Sequence, residues 1–145
     1  AGEMNRAMPQ YVVSRLLEGL NSLEKSLKGS KILILGLAYK KNVDDLRESP
    51  SIEILKRIKE KGGVVSYSDP HIPKFITEKK HGSTLVSKTI TKELLQSYDA
   101  VVIITDHDDF DYNLIIENAP LVIDARGKYS GGQFRERNFP NLINA

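Results

Sequence analysis

The sequence predicts an α/β fold in which a mainly parallel β-sheet is covered by helices. Continuous apolar runs at 31–36 and 100–105 are typical of strands that are buried on both faces. Two further strands are predicted at 64–68 and 121–124, and stretches with helical periodicity lie between the strands. Such alternation favours parallel strands joined by covering helices. We therefore expect a Rossmann-like three-layer sandwich.

Length and composition fit a single domain. The chain has 145 residues, a formal net charge of +2 and no cysteine. It is long enough to bury a core, and the lack of cysteine excludes disulfides and thiolate chemistry within this sequence. The near-neutral charge and the absence of an apolar run of ~20 residues favour neither nucleic acid nor membrane as partner. We expect a cytoplasmic protein.

The first predicted element is a helix. Pro9 suits a first helical turn, and Lys28-Gly29 is a typical helix end. Between them, apolar residues recur at helical spacing and form one wide face, which must pack on this domain or on a partner subunit. These residues are Val12, Val13, Leu16, Leu17, Leu20, Leu23 and Leu27.

The next elements follow from capping and turn residues. After the strand at 31–36 comes a polar loop at 37–48, and then Ser49 and Pro50 fit the N-cap and first position of a helix that ends at Gly62-Gly63. Asp69-Pro70 stops the strand at 64–68. The remaining predictions are a short strand at 85–86, a helix at 91–98 capped by Thr91, a strand at 100–105, a helix at 111–118, a strand at 121–124 and a loop-like tail after Arg126.

Polar residues follow each of the four predicted strands. Open α/β sheets bind ligands beyond the carboxyl ends of their strands, so these residues are expected to converge on one edge of the sheet. They are Gly36, Tyr39, Lys40, Lys41, Asp44, Asp45 and Arg47 after the first strand, Asp69 after the second, Thr105, Asp106 and His107 after the third, and Asp124, Arg126 and Lys128 after the fourth.

The loop after the first strand lacks the dinucleotide fingerprint G-x-G-x-x-G, because Gly36 stands there alone. Phosphate binding would therefore depend on side chains, chiefly Lys40 and Arg47. An aromatic ring beside a lysine, as in Tyr39-Lys40, suits a nucleotide. The alternative is a tyrosine packed at the sheet edge beside solvated lysines.

Three further sites leave alternatives open. Arg47 lies among acidic residues and could form a surface salt bridge worth ~0–1 kcal/mol, and Arg126 could be buried or could face a ligand. The acidic run 106–111 invites a metal site but matches no calcium loop. Asp109 or Asp111 is better explained as the N-cap of the next helix. His71 and His81 have no partner pattern and are expected at the surface.

Residues 34–50, ILGLAYKKNVDDLRESP, resemble the start of the third domain of the UDP-glucose/GDP-mannose dehydrogenase family. That domain opens with a strand, an aromatic-Lys-Lys motif and an acidic-x-Arg-Glu-Ser motif. Residues 62–70, 105–110 and 124–126 resemble its later signatures in the same order, and residues 5–13 resemble the end of the family's long linking helix. The motif at 105–110, Thr-Asp-His-Asp-x-Phe, is most similar to the sequences of the branch that oxidises UDP-N-acetylhexosamines.

The resemblance implies that residues 1–28 are the end of the linking helix and that residues 29–145 are a C-terminal UDP-sugar-binding domain. The family oxidises the C6 alcohol of a UDP-sugar to a carboxylate with two NAD, through a cysteine thioester. The cysteine and the main NAD site lie in upstream domains. The isolated chain is thus expected to bind but not to catalyse, with the rest of the polypeptide as its partner and a dimer or larger oligomer in the full-length enzyme.

The resemblance also assigns site residues. Tyr39, Lys40 and Arg126 would contact the UDP-sugar. Arg47 would reach the NAD pyrophosphate across the cleft between this domain and the upstream domains. It implies no catalytic residue and no metal ligand, and structural roles for Asp69, Asp106 and Asp124. The sequence departs from the family pattern in having Tyr39 where phenylalanine is common and Gly127 where asparagine often follows the arginine.

Two other functions remain as alternatives. One is a stand-alone nucleotide-binding or regulatory module of flavodoxin-like or receiver-like type. A receiver requires an aspartate directly after a central strand and paired acidic residues near the first strand. Asp44-Asp45 lie too far along their loop to be that pair. The other is a metal-binding module built on residues 106–111.

Overall fold

A computed structural model describes residues 2–38, 42, 49–76 and 84–145 of the chain. The helices and strands follow in the order α1 (Gly2–Ser22), β1 (Lys31–Leu35), α2 (Pro50–Glu60), β2 (Val64–Ser68), β3 (Lys74–Ile76), β4 (Thr84–Val86), α3 (Lys92–Ser97), β5 (Ala100–Ile103), α4 (Tyr112–Asn118), β6 (Val122–Asp124) and β7 (Leu142–Asn144). Two short 3-10 helices, Lys128–Ser130 and Gly132–Phe134, lie between β6 and β7.

Five strands of the described chain form a parallel sheet in the order β2-β1-β5-β6-β7. The antiparallel pair β3–β4 stands apart from this sheet. The order places β1 and β5 at the centre, which explains why their sequences are continuously apolar: both faces of each strand are covered. The predicted parallel sheet is confirmed.

The sheet separates two hydrophobic cores. Ile32 and Ile34 of β1 pack on one side with residues of α1 and α2, such as Leu16 and Ile54. The alternate residues of β1 point to the other side and pack with residues of α3 and α4, such as Leu95 and Ile115. This arrangement is the predicted three-layer sandwich. The apolar face of α1 packs on this domain.

The helix caps lie where the sequence predicts them. Ser49 caps α2 with Pro50 as its first residue, and the Thr91 hydroxyl accepts the N–H of Leu94 at 3.0 Å to cap α3. The Asp111 carboxylate accepts the N–H of Leu114 at 3.1 Å and caps α4. Each of these side chains satisfies a backbone N–H that the helix itself leaves without a partner.

The predicted bounds of the first helix are wrong at both ends. Helix α1 begins at Gly2, so Pro9 lies inside it, and it ends at Ser22. Glu24 adopts the left-handed conformation, with φ of 61°, and the N–H of Lys25 bonds to the carbonyl of Leu20 at 2.9 Å. This is a Schellman ending with glutamate where glycine is usual, which hides the helix end from the sequence.

The sequence predicts a loop-like tail after Arg126, and this prediction is wrong for the last residues of the chain. Residues Leu142–Asn144 form β7, which pairs in parallel with β6 and places Leu142 opposite Val122. A strand of three residues gives no periodic signal, and this one forms because β6 offers a free edge. None of the helices described combines the length and hydrophobicity that a membrane-spanning helix requires.

Candidate functional site

The predicted site residues differ in how far the structure describes them. Tyr39, Lys40 and Arg47 lie outside the described residues, so their assignments remain predictions. Arg126 is described and lies in the loop after β6, with a half-exposed side chain whose Nε is 3.8 Å from Asp106 Oδ1. Of the two alternatives for Arg126, the structure therefore excludes the buried one. The guanidinium is accessible at the carboxyl edge of the sheet.

The loop after β1 starts from a glycine that the packing requires. Gly36 has φ of +89°, and a Cβ at this position would lie 2.5 Å from Thr105 Cβ and from Thr105 O. The positive φ disfavours any L-residue with a side chain. The close approach brings the loops after β1 and β5 together.

Asp69, at the end of β2, fills the position where a dinucleotide-binding loop would hold an anion. Its Oδ2 accepts the N–H of Leu37 at 2.8 Å and of Ala38 at 3.0 Å, and its Oδ1 accepts the N–H of His71 at 2.8 Å. Consecutive amides directed at one point form a natural anion site. Here the anion is the protein's own carboxylate, so these amides are not available to a phosphate.

The carboxyl group of Asp69 is ionised in this setting. Burial alone raises its pKa, but hydrogen bonds from the His107 side chain and from the backbone N–H groups of Ala38, His71 and Leu37 outweigh burial. Together they hold the pKa of Asp69 below its ordinary value. The structural role expected for Asp69 is thus one of charge-assisted hydrogen bonding.

The carbonyl groups at the start of the same loop are also satisfied by side chains. The Thr105 hydroxyl donates to the carbonyl of Ala38 at 2.6 Å. The hydroxyls of Ser49 and Ser51 lie 2.6 Å and 2.7 Å from the carbonyl of Leu37. With Asp69 on the N–H groups, all four backbone polar groups of Leu37 and Ala38 have partners, and this segment is rigidly placed.

His107 is fully buried and has a defined tautomer. Its Nδ1 accepts the backbone N–H of Asn42 at 2.7 Å, so this nitrogen carries a lone pair. The proton of the neutral ring is therefore on Nε2, which donates to Asp69 Oδ2 at 2.9 Å. Both ring nitrogens are engaged by protein atoms.

Three acidic residues of the run 106–111 make contacts with other groups of the protein. Asp106 faces Arg126, Asp108 exchanges two hydrogen bonds with the side chain of Asn42, and Asp111 caps α4. The N-cap prediction is confirmed. In the part of the chain that the structure describes, no three histidine, aspartate or glutamate side chains are grouped as metal ligands.

Asp124, at the end of β6, organises the loop that carries Arg126. Its carboxylate accepts the N–H of Arg126 and the N–H of Tyr129, each at 3.0 Å. The Tyr129 hydroxyl donates to the carbonyl of Tyr112 at 2.7 Å, and the Tyr112 hydroxyl donates to the carbonyl of His107 at 2.6 Å. A buried hydrogen-bond chain thus connects the loop after β6 with the loop after β5.

The expectation that His71 is a surface residue needs correction. Its side chain is 30% exposed, and its Nε2 lies 3.7 Å from Asp109 Oδ2. The ring centroid is 4.8 Å from that of His107. The turn Asp69-Pro70 directs His71 inward, which a lone histidine in sequence does not reveal. His81 lies outside the described residues.

Sequence reasoning did not anticipate an open cleft of about 520 Å³ beside this edge. It lies between the end of β2, the residues that follow β4, and the start of α4. The residues that follow β4 lie beside the end of β2, where the N–H of Lys88 bonds to the carbonyl of Tyr67 at 2.9 Å. This long-range contact has no local sequence signal. Its wall is formed by Ser68, Asp69, Pro70, Pro73, Val86, Ser87, Lys88, Thr89, Ile90, Asp109, Phe110, Asp111 and Leu114.

Comparison with known proteins places the site in a family. The sequence model of the UDP-glucose/GDP-mannose dehydrogenase family's UDP binding domain matches residues 33–131. The chain is 41% identical over 110 residues to a UDP-N-acetyl-D-mannosamine dehydrogenase of Methanococcus maripaludis, covering 76% of this chain and 23% of that protein. It is 34% identical over 134 residues to an NDP-N-acetyl-D-galactosaminuronic acid dehydrogenase of Ralstonia solanacearum, covering 90% and 29%.

Solved structures agree with the fold. The UDP-D-ManNAc dehydrogenase from Pyrococcus horikoshii superposes with a TM-score of 0.70 at 24% identity, covering 98% of this chain and 31% of that one. A UDP-glucose dehydrogenase from Pyrobaculum islandicum superposes with a TM-score of 0.61 at 30% identity, covering 84% and 27%.

The chain spans less than a third of the length of these relatives. The family match at residues 33–131 covers Gly36, Asp69, His107 and Arg126. The expected family and the expectation of a UDP-binding domain are confirmed, and the flavodoxin-like and receiver-like alternatives lose their support. The chain therefore belongs to the UDP-glucose/GDP-mannose dehydrogenase family and carries its UDP-binding domain.

Proposed function

We propose that this chain is the substrate-binding part of an NAD-dependent UDP-sugar 6-dehydrogenase. Residues 1–28 would be the end of the linking helix, and residues 29–145 the C-terminal UDP-sugar-binding domain. The substrate class is a UDP-N-acetylhexosamine, because relatives named for N-acetylated sugars are 34–41% identical to the chain.

Tyr39, Lys40 and Arg126 are proposed to contact the UDP-sugar. The observation that carries this assignment is that Asp69 already occupies the amides of Leu37 and Ala38. A diphosphate at this edge must then be neutralised by cationic side chains. Arg126 is accessible after β6, and the ends of β6 and β1 are ~10 Å apart because one strand lies between them. A nucleoside diphosphate can bridge that span.

Arg47 is proposed to reach the pyrophosphate of NAD, while the main NAD site belongs to other domains. The described residues support this division, since Asp69 already accepts the amides of Leu37 and Ala38 at the start of the loop after β1. NAD accepts the hydride when it is bound. The contribution of this chain would be restricted to binding and orientation.

The isolated chain is proposed to be inactive, because it contains no cysteine to form the thioester that the resemblance implies. The partners of the domain would be the rest of the same polypeptide and a second subunit. Exposed apolar residues on α1, Tyr11 at 52% and Leu17 at 37%, are consistent with a helix that other parts of an enzyme cover. A cytoplasmic location follows from the need for NAD and nucleotide sugars.

Amide NMR with UDP, UDP-N-acetylglucosamine and UDP-N-acetylmannosamine tests the proposal. The expected shifts cluster in residues 36–47 and 124–128. The Kd should be roughly millimolar or weaker, because the other domains that would complete the UDP-sugar site are not part of this chain. Shifts confined to the cleft residues 86–90 and 109–111 would contradict the site. Reduction of NAD by the pure chain would contradict the proposed inactivity.

A further inference from the structure

We propose that His107 is a positioning residue for the loop after β1, acting through the lone pair on Nδ1. The proposal builds on the proposed function, because residues 39–41 of that loop include two of the suggested UDP contacts. Asn42 stands directly after them in the sequence, and its backbone N–H donates to His107 Nδ1 at 2.7 Å. Ala38 stands directly before them and is fixed by Asp69 and Thr105.

One oxygen of Asp69 takes part in the hydrogen bonds that hold the residues on both sides of 39–41. Asp69 Oδ2 accepts the N–H groups of Leu37 and Ala38, and it also accepts Nε2–H of His107. The carboxylate fixes the imidazole in the tautomer that leaves Nδ1 free to accept. Asp69 therefore positions Ala38 directly and Asn42 through His107.

Asn42 has a second attachment to the loop after β5. Its side-chain Nδ2 donates to Asp108 Oδ2 at 2.8 Å, and the backbone N–H of Asp108 donates to Asn42 Oδ1 at 3.1 Å. Asn42 has φ of 62°, a left-handed conformation that asparagine tolerates better than most residues. Three hydrogen bonds thus hold this residue in a conformation that the chain would not favour by itself.

His107 also connects to the loop that carries Arg126. Its carbonyl accepts the Tyr112 hydroxyl, the Tyr112 carbonyl accepts the Tyr129 hydroxyl, and the N–H of Tyr129 shares Asp124 with the N–H of Arg126. His107 lies midway along a hydrogen-bond chain between the two loops proposed to contact UDP. Preorganisation of binding loops in this way reduces the entropy lost when a ligand binds.

Two substitutions separate positioning from mere structural support. His107→Asn places an amide oxygen as far from the backbone as Nδ1 and keeps the acceptor for Asn42, but it loses the donor to Asp69. His107→Gln reaches the position of Nε2 and keeps the donor to Asp69, but it has no acceptor at the position of Nδ1. Each variant loses one buried hydrogen bond, so similar losses of stability are expected.

The proposal predicts different UDP affinities for these two variants. His107→Asn should bind UDP within about twofold of wild type, while His107→Gln should bind about tenfold more weakly, as expected when a loop must be ordered on binding. The two affinities and the two urea midpoints are measured side by side. Equal loss of affinity, in proportion to lost stability, would show that His107 is only structural and would overturn the proposal.

A ligand-free measurement keeps this inference distinct from the proposed function. In the wild-type chain, imidazole ¹⁵N shifts should show His107 protonated at Nε2 and unprotonated at Nδ1. The Asn42 amide should be protected from hydrogen exchange in wild type and His107→Asn, and exposed in His107→Gln. An Nδ1–H tautomer or an unprotected Asn42 amide in wild type would refute the positioning role. Absence of UDP binding with an intact tautomer and protected amide would refute the proposed function instead.

Discussion

The carboxylate of Asp69 accepts the backbone N–H of Leu37 at 2.8 Å, across 32 residues of sequence. In a dinucleotide-binding fold, the amides that begin this loop would surround a pyrophosphate. In this chain the end of β2 supplies a permanent anion to the loop after β1. The sheet has the topology of a nucleotide-binding fold, but the amides of Leu37 and Ala38 are not available to a phosphate.

Asp69→Asn should destabilise the domain by roughly 2–4 kcal/mol. The amide group cannot accept every hydrogen bond that the carboxylate accepts, and its NH₂ would face N–H groups. Urea denaturation followed by circular dichroism measures the loss. Asp109→Asn is the matched control, because this carboxylate is 64% exposed and its replacement should change stability by less than ~0.5 kcal/mol. Equal stability of the two variants would contradict the role assigned to Asp69.

Acid should destabilise the wild-type chain through the same carboxylate. The pKa of Asp69 is lower in the folded chain than in the unfolded chain, so ionised Asp69 stabilises the fold above the unfolded pKa of ~3.9. This stabilisation is lost as the pH falls through the folded pKa. Free energies of unfolding measured between about pH 6 and about pH 3 should fall less steeply for Asp69→Asn than for Asp109→Asn. Parallel curves would show that Asp69 is not the group responsible.

Gly36→Ala should be the most damaging of three glycine substitutions. A Cβ at Gly36 meets Thr105 at 2.5 Å and also requires a positive φ, while Gly127 has a positive φ without a steric contact, and Gly131 has neither constraint. We expect losses of about 3 kcal/mol or more for Gly36→Ala, ~1–2 kcal/mol for Gly127→Ala and about zero for Gly131→Ala. Thermal unfolding of the three variants ranks them, and any other order would contradict the close approach of the loops after β1 and β5.

Glu24→Gly should stabilise the chain by ~1 kcal/mol. Glu24 occupies the left-handed position of the Schellman ending of α1, where glycine avoids the conformational cost. Ser14→Gly, an exposed position inside the same helix, is the control and should cost roughly 0.5 kcal/mol. A destabilised Glu24→Gly variant would mean that the helix does not end as described.

The sequence predicts those elements whose signals are local. Apolar runs identify β1 and β5, and the N-caps Ser49, Thr91 and Asp111 identify the starts of three helices. The end of α1 escapes prediction because Glu24 replaces the expected glycine, and β7 escapes because its three residues depend on the edge of β6.

The site follows the same division between local and long-range signals. The position of Arg126 at the sheet edge follows from its place after a strand. The contact between Asp69 and His107 joins residues 38 positions apart, and neither residue has a local pattern that announces it. Tyr39, Lys40 and Arg47 remain predictions, since they rest on the motif that contains them.

The UDP affinity of Arg126→Ala tests the central claim most directly, namely that side chains rather than backbone amides hold the nucleotide phosphates at this edge. We expect titration calorimetry or amide NMR to show UDP binding about tenfold weaker than in the wild-type chain, which corresponds to the loss of one charge-assisted contact. Arg135→Ala, which removes an exposed guanidinium from the tail, should bind UDP as the wild type does. Unchanged UDP affinity in Arg126→Ala, or an equal loss in Arg135→Ala, would contradict the account.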